Sequence, residues 1–391
     1  MTAQVRTYLD HNSGAPLLAV SRTAMLEVLA TTGNPSSVHA EGRARRKIVE
    51  DARSVLAERL DVAQNRVVFT SGASEAANHA LSPLLRVKGR ERPVSRLYVS
   101  AIEHPCVLSG GRFGADTMEY LPVSESGVID TAVLEKRLAA HDHDAGAPMV
   151  AIMLANNETG VIQPVSEIAG IVRGHDGYLL VDAVQGLGRL DFTAASLGAD
   201  FILLSAHKIG GPQGAGALVL ANEAVAPLPL IRGGGQENHH RSGTENVAAI
   251  AGFAAAIAEL PVLSMEMPRI RGLRDSIETR LRSLSREAGN RVGEPVFFGE
   301  GAERLANTSC FAVDGVKAET ALISLDLAGI AVSSGSACSS GKVGKSHVLT
   351  AMGVDDALAA SALRVSLGWD STEDDAGRFL TAWCDIVGRM G

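Results

Sequence analysis

Lys208 follows the apolar run Phe201-Ile202-Leu203-Leu204 and the tripeptide Ser205-Ala206-His207, and it precedes Ile209-Gly210-Gly211-Pro212. A lysine at the end of an apolar strand can have a lowered pKa and form a Schiff base with a carbonyl. Asp182 ends a second apolar run, Tyr178-Leu179-Leu180-Val181. A buried aspartate needs a cation or a hydrogen-bond donor. A protonated pyridine nitrogen would serve, and lysine with aspartate is the pair that pyridoxal-phosphate chemistry requires. The turn Ser71-Gly72-Ala73-Ser74 opens a helical pattern, and the free N–H groups of a helix N-terminus suit a phosphate. Taken singly, each feature has a plainer reading: a surface lysine, an aspartate capping the next helix, a capped helix start.

Four cysteines are present, Cys106, Cys310, Cys338 and Cys384, and no two form C-x-x-C. A zinc knuckle and a disulfide framework are both unsupported. Cys338 differs from the others because it lies among small residues, Ser333-Ser334-Gly335-Ser336-Ala337 before it and Ser339-Ser340-Gly341 after it. That composition predicts an accessible loop, so core packing does not account for this cysteine. Two near-matches fail. Gly335 to Gly341-Lys342 has five intervening residues where a P-loop has four, and Ser205-x-x-Lys208 lacks the S-D-N and K-T-G partners of serine β-lactamases. The run His141-Asp142-His143-Asp144 reads as a solvated loop, and no metal site is expected.

The elements that must position these residues are legible from periodicity. Residues 149–154, 178–181, 201–204 and 216–220 are short apolar runs with few alternating polar positions, the pattern of strands covered on both faces. Helical segments separate the first three, and a glycine-rich turn leads to the last, so one antiparallel neighbour is allowed. In an open parallel sheet, ligands sit at the carboxyl ends of the strands. The turns at Ser71–Ser74, Asn156-Asn157-Glu158, Asp182–Gln185 and Ser205–Lys208 can therefore face one crevice. Residues 39–60 predict an amphipathic helix with Ile48, Ala52, Val55, Leu56 and Leu60 on one face. Two prolines within 261–268 mark a boundary, and a new helix starts near Ile270.

The chain has 391 residues, 46% hydrophobic, 4% aromatic and with 41 glycines. Small aliphatics with many glycine turns favour an α/β fold. A net charge of −8 disfavours binding to nucleic acid, which needs excess Lys and Arg. Residues 1–10 hold no signal-peptide core. The apolar segment 247–260 is shorter than the 18–20 apolar residues or so of a membrane span. It is expected to be a core helix, with no membrane association and a cytoplasmic location.

The motifs occur in a characteristic order. They are Tyr8-Leu9-Asp10, Asn34-Pro35-Ser36-Ser37-Val38-His39, Thr70-Ser71-Gly72-Ala73-Ser74-Glu75, Glu103-His104-Pro105, Asn156-Asn157-Glu158-Thr159-Gly160, Val181-Asp182-Ala183-Val184-Gln185-Gly186, Ser205-Ala206-His207-Lys208, Gly233-Gly234-Gly235-Gln236-Glu237, Arg241-Ser242-Gly243-Thr244-Glu245-Asn246, the Cys338 loop, and Leu363-Arg364-Val365-Ser366-Leu367-Gly368. Over nearly the whole chain this series resembles the cysteine desulfurases, a pyridoxal-phosphate branch of the class V aminotransferase-like enzymes. The resemblance implies an α/β protein of PLP fold type I. Its large domain, 15–261, would hold a mostly parallel seven-stranded sheet between helices. A smaller α+β C-terminal domain, 1–14 with 262–391, would carry the Cys338 loop.

By the same resemblance, Lys208 is the Schiff-base lysine, Asp182 holds the pyridinium nitrogen and Gln185 the ring hydroxyl. His104 stacks on the ring and shuttles protons. Ala73, Ser74, Ser205 and His207 bind the phosphate, with Thr244 reaching in from the second subunit of a homodimer, and Asn157 lies beside the cofactor. Asn34 and Arg364 grip the substrate carboxylate. Cys338 takes sulfur from L-cysteine as a persulfide, leaving L-alanine. It then passes the sulfur to an acceptor protein, an iron–sulfur scaffold or a sulfur carrier. Selenocysteine lyase, another small-amino-acid activity and a degenerate scaffold are the alternatives. Three departures stand out. The family's Asn-Asn-Ala-Thr-Thr-Pro is His11-Asn12-Ser13-Gly14-Ala15-Pro16 here, its phosphate-turn Thr is Ser74, and Asn238-His239-His240 replaces a stretch often containing glycine. Loss of both threonine hydroxyls predicts a weak activity with cysteine alone.

Overall fold

A computed structural model describes residues 6–288, 292–334 and 345–389. Cys338 and the rest of its loop lie outside the described residues. The chain enters as β1 (Thr7–Tyr8), and helices Ala19–Leu29 and Ala40–Leu60 follow. The strands of the large sheet come next. They are β2 (Val67–Thr70), β3 (Leu84–Val87), β4 (Arg90–Ser100), β5 (Met118–Leu121), β6 (Ala147–Met153), β7 (Tyr178–Asp182), β8 (Phe201–Ser205), β9 (Gly216–Leu220) and β10 (Val225–Pro227).

Seven of these strands run in the order β5-β4-β6-β7-β8-β9-β2. The pairs from β5 to β8 are parallel, and β9 is antiparallel to both β8 and β2. This is the mostly parallel sheet expected, with its one reversed strand reached through the glycine-rich turn. The full sheet has nine strands, because β3 and β10 extend it beyond the N-terminal half of β4. The sequence does not announce β3, since its polar Arg86 interrupts the apolar run. The turn into β4 does carry a signal: Lys88 and Gly89 both have positive φ, as a two-residue hairpin requires.

Burial on both faces explains why the central strands lack alternation. Along β7, Leu179 and Val181 enter one apolar cluster, while Tyr178 and Leu180 enter the cluster on the opposite face. The same split runs through β8, with Ile202 and Leu204 on one side and Phe201 and Leu203 on the other. The helix Val247–Ser264 contributes Ile250, Phe253, Ile257 and Leu260 to the first cluster, where helices Ala19–Leu29 and Ala40–Leu60 pack against it. By length and composition this helix could cross a membrane. It runs to Ser264 with Pro261 inside it, and Met265 and Glu266, between the two prolines, separate it from the next helix. Pro268 then sits in the first turn of Met267–Ala288, where a missing N–H costs nothing.

The C-terminal part builds its own four-stranded sheet from β11 (Pro295–Phe297), β12 (Thr308–Val313), β14 (Ser333–Ser334) and β15 (Leu363–Ser366), and β13 (Ile330–Ala331) lies outside it. The order is β11-β12-β15-β14, all antiparallel. β1 pairs with β13, and Asp10 bridges to Ser366. Residues 7–10 are thereby joined to the C-terminal part, with Asp10 bridging to the second sheet at β15. Phe311, Phe379 and Trp383 centre its core with Leu9, which follows β1.

Candidate active site

A cavity of about 520 Å³ opens at the carboxyl ends of β2, β6, β7 and β8. Its walls include all four turns picked from the sequence. Ala73, Ser74, His104, Asn157, Asp182, Gln185, Ser205, His207 and Lys208 line it, and Arg364 reaches it from β15. Thr244 and Asn34 are exposed and do not line it.

Helix Ala73–Ala80 points its N-terminus into the cavity. Its N-cap is Gly72, which supplies no capping side chain, so the first-turn N–H groups remain open to an anion. Gly72 has a φ of +157°, and Gly216 beneath it has to be glycine, because a Cβ there would come within 2.6 Å of the Gly72 Cα. Ser74 adds a hydroxyl from this turn. Across from it, Ser205 Oγ and His207 Nδ1 are 2.9 Å apart.

Asp182 lies at the last position of β7 and is 6% exposed. One oxygen accepts the Val184 N–H at 2.9 Å. Burial pushes its pKa up to about 6, while that hydrogen bond and the Lys208 charge pull the other way. A carboxyl in this state would gain from a cation placed in the cavity. Lys208 Nζ donates to the backbone carbonyls of Asn12 at 2.6 Å and Ser13 at 2.9 Å.

His104 caps the short helix Pro105–Leu108, accepting the Cys106 N–H at Nδ1 over 3.2 Å. Nδ1 is therefore the acceptor and Nε2 carries the proton in the neutral ring. Burial, then the charges of Lys208 and His347, push its pKa down to about 4, so this neutral form prevails near pH 7. His207 is held down to about 4 in the same way, by burial, Lys208 and His104.

At the far end, Arg364 is 1% exposed. Its Nη2 donates to Asp10 Oδ1 and to Ser13 Oγ, both at 2.7 Å, and Nη1 donates to the Asn157 carbonyl at 2.8 Å. Gln185 bridges the Asn12 carbonyl and Arg189. The dipeptide Asn12-Ser13 thus touches the lysine, the glutamine and the arginine together. Sequence reading treated this stretch only as a departure. Its signal was the position just after Tyr8-Leu9-Asp10, and Asp10 bridges to Ser366, two residues from Arg364. Cys106 was also missed. It lines the cavity, with Sγ 3.0 Å from His104 Nδ1. Burial pushes its thiol up to about 12, which makes it a poor nucleophile. Cys310 is buried and Cys384 exposed.

An uncapped helix N-terminus with hydroxyls beside it, a buried carboxyl, a lysine and a flat neutral ring form one chamber. These residues fit pyridoxal phosphate: the anion-binding turn suits its phosphate, Asp182 its ring nitrogen and Lys208 its aldehyde.

Comparison with known proteins agrees. The aminotransferase class-V family model matches residues 7–379. The cysteine desulfurase IscS of Dictyoglomus turgidum is 37% identical over 389 residues, covering 98% of this chain and 95% of its own. The IscS-like cysteine desulfurase of Mycobacterium tuberculosis is 36% identical, covering 98% and 96%. The X-ray structure of a NifS-like protein from Rickettsia africae superposes with a TM-score of 0.83 at 31% identity, covering 98% and 99%. With the fold, the cavity and these likenesses together, the chain belongs to the aminotransferase class-V family, in the branch of the IscS-like cysteine desulfurases.

Proposed function

We propose that this protein removes sulfur from L-cysteine, releasing L-alanine, and holds the sulfur as a persulfide on Cys338 for a thiol-bearing acceptor protein in iron–sulfur cluster assembly. The observation that carries the reading is the shared cavity, with Lys208, Asp182 and His104 at one end and Arg364 at the other. Pyridoxal phosphate, when bound, supplies the electron sink for bond-breaking at the α-carbon of an amino acid.

The chain's own residues do the rest. Arg364 orients the substrate carboxylate, which places the α-carbon toward Lys208. Lys208 Nζ takes the α-proton. His104 offers the proton on Nε2. The Cys338 thiolate attacks the substrate sulfur; an S–S bond forms as the C–S bond breaks. The C–S electron pair stays with the substrate carbon, which is protonated and leaves as alanine. Both flanks of the Cys338 segment are anchored beside the cavity, which supports this role. Ser333 donates to Asp10 Oδ2 at 3.0 Å, Ser346 donates to Glu158 at 2.5 Å, and His347 Nε2 lies 2.9 Å from the Glu103 carbonyl.

The working unit in this reading is a homodimer. Thr244 is exposed and outside its own chain's cavity, and it is assigned, as the family resemblance implies, to the site of a second copy. A fully active, cofactor-saturated monomer in sedimentation would contradict that assignment.

Cys338→Ser tests the chemistry. The cofactor-loaded variant should bind cysteine yet form no alanine, whereas the parent forms alanine and persulfide. Undiminished alanine production by the variant would overturn the sulfur-acceptor role.

A further inference from the structure

Arg364 meets a substrate with most of its donors committed. A guanidinium has five N–H bonds. Both protons of Nη2 go to Asp10 and Ser13, and one from Nη1 goes to the Asn157 carbonyl. Nε is buried without a partner among the described residues. A substrate carboxylate has two oxygens and finds one Nη1 proton uncommitted, so a second donor would complete its binding.

Ser13 is placed to be that donor. It is exposed, and it lines the cavity. Because its Oγ accepts from Arg364 Nη2, its own proton must point elsewhere. Among the described residues the one acceptor within range is Ser333 Oγ, at 3.5 Å, the outer limit of a hydrogen bond. Ser333 gives its own proton to Asp10 Oδ2 at 3.0 Å, so Asp10 is served on both oxygens and makes no demand on Ser13.

The family pattern has alanine at this position and threonines at the next two. Gly14 and Ala15 carry no hydroxyl, and Ser13 carries one. We propose that Ser13 is a substrate-binding residue whose hydroxyl donates to the carboxylate of the amino acid held by Arg364, a relocated substitute for the lost threonine hydroxyls. The proposal rests on the amino-acid reading of the cavity given above.

Equilibrium binding to the cofactor-loaded protein tests it, read from the visible spectrum of the bound cofactor. The probes are L-alanine, which has a carboxylate, and ethylamine, which has none. Ser13→Ala should raise the Kd for L-alanine about tenfold or more, the factor expected for a hydrogen bond to a charged group. The ethylamine Kd should not move, and Ser13→Thr should restore alanine binding. An alanine Kd within twofold of the parent's would overturn the proposal. Equal weakening of both probes would also overturn it, since Ser13 would then act through Lys208 or the fold. If the parent binds neither amine, the amino-acid reading itself fails, which is a distinguishable result.

Discussion

Glu158 shows how a single buried acid ties this site together. It is 2% exposed, and its Oε2 accepts the Ser346 hydroxyl at 2.5 Å. Ser346 in turn caps the helix His347–Ala351 that follows the Cys338 segment. Burial raises the Glu158 pKa from 4.5 to about 7, against the Ser346 hydrogen bond and Arg364. The folded state therefore keeps a proton that the unfolded chain has already released. The stability it contributes is full below pH 4.5 and is lost as pH rises through 7. Glu158→Gln keeps the acceptor and removes the titration. Relative to the parent, its unfolding free energy should rise by about 2–3 kcal/mol between pH 5 and pH 8. Urea denaturation at the two pH values measures this, and a constant difference would show that Glu158 ionises normally. Glu158 was visible in the sequence only as part of a motif. Its partner is 188 residues away, and no local spacing encodes that contact. Lys208 and Asp182 were legible because each ends an apolar strand, where a charged side chain has few places to go but a ligand cavity.

At the scale of elements, the loop at Gly235–Asn246 carries a cost. Glu237, Asn238 and His239 all have positive φ, at 48°, 52° and 66°. Non-glycine residues pay about 1–2 kcal/mol each there. A buried pair holds the turn: Arg53 meets both oxygens of Glu237 at 2.7 and 2.9 Å, and the Phe69 N–H donates to the same carboxylate at 2.8 Å. Helix Ala40–Leu60, strand β2 and the loop are fastened at one point. Periodicity marked the apolar face of that helix correctly at Ala52, Leu56 and Leu60, but it assigned the charged residues to solvent, whereas Arg53 is 3% exposed. A charge paired across the fold breaks the pattern that amphipathicity relies on. His239→Gly should relieve part of the strain. After allowing for glycine's greater unfolded-state entropy, a gain of about 0.5–1 kcal/mol is expected, visible as a higher melting temperature. A lower one would mean the His239 ring makes a compensating contact.

Over the whole molecule, two sheets share one site. β7 and β8 deliver Asp182 and Lys208, β15 delivers Arg364, and the N-terminal segment that pairs with the second sheet supplies Asp10, Asn12 and Ser13 between them. The order of motifs along the chain foretold the family and the parallel sheet. The resemblance placed residues 1–14 with the C-terminal domain, but which strands residues 7–10 pair with came only from three dimensions, because strands of two residues have too little pattern to read. The central claim is that Lys208 enables sulfur transfer from cysteine to Cys338. It is tested by giving the cofactor-loaded protein one equivalent of sulfur-labelled L-cysteine, digesting without reductant, and locating the label by peptide mass spectrometry. The account predicts label on Cys338 in an amount equal to the alanine formed, and none after Lys208→Ala. Alanine formed with the label on Cys106, Cys310 or Cys384, or with none on Cys338, would contradict it.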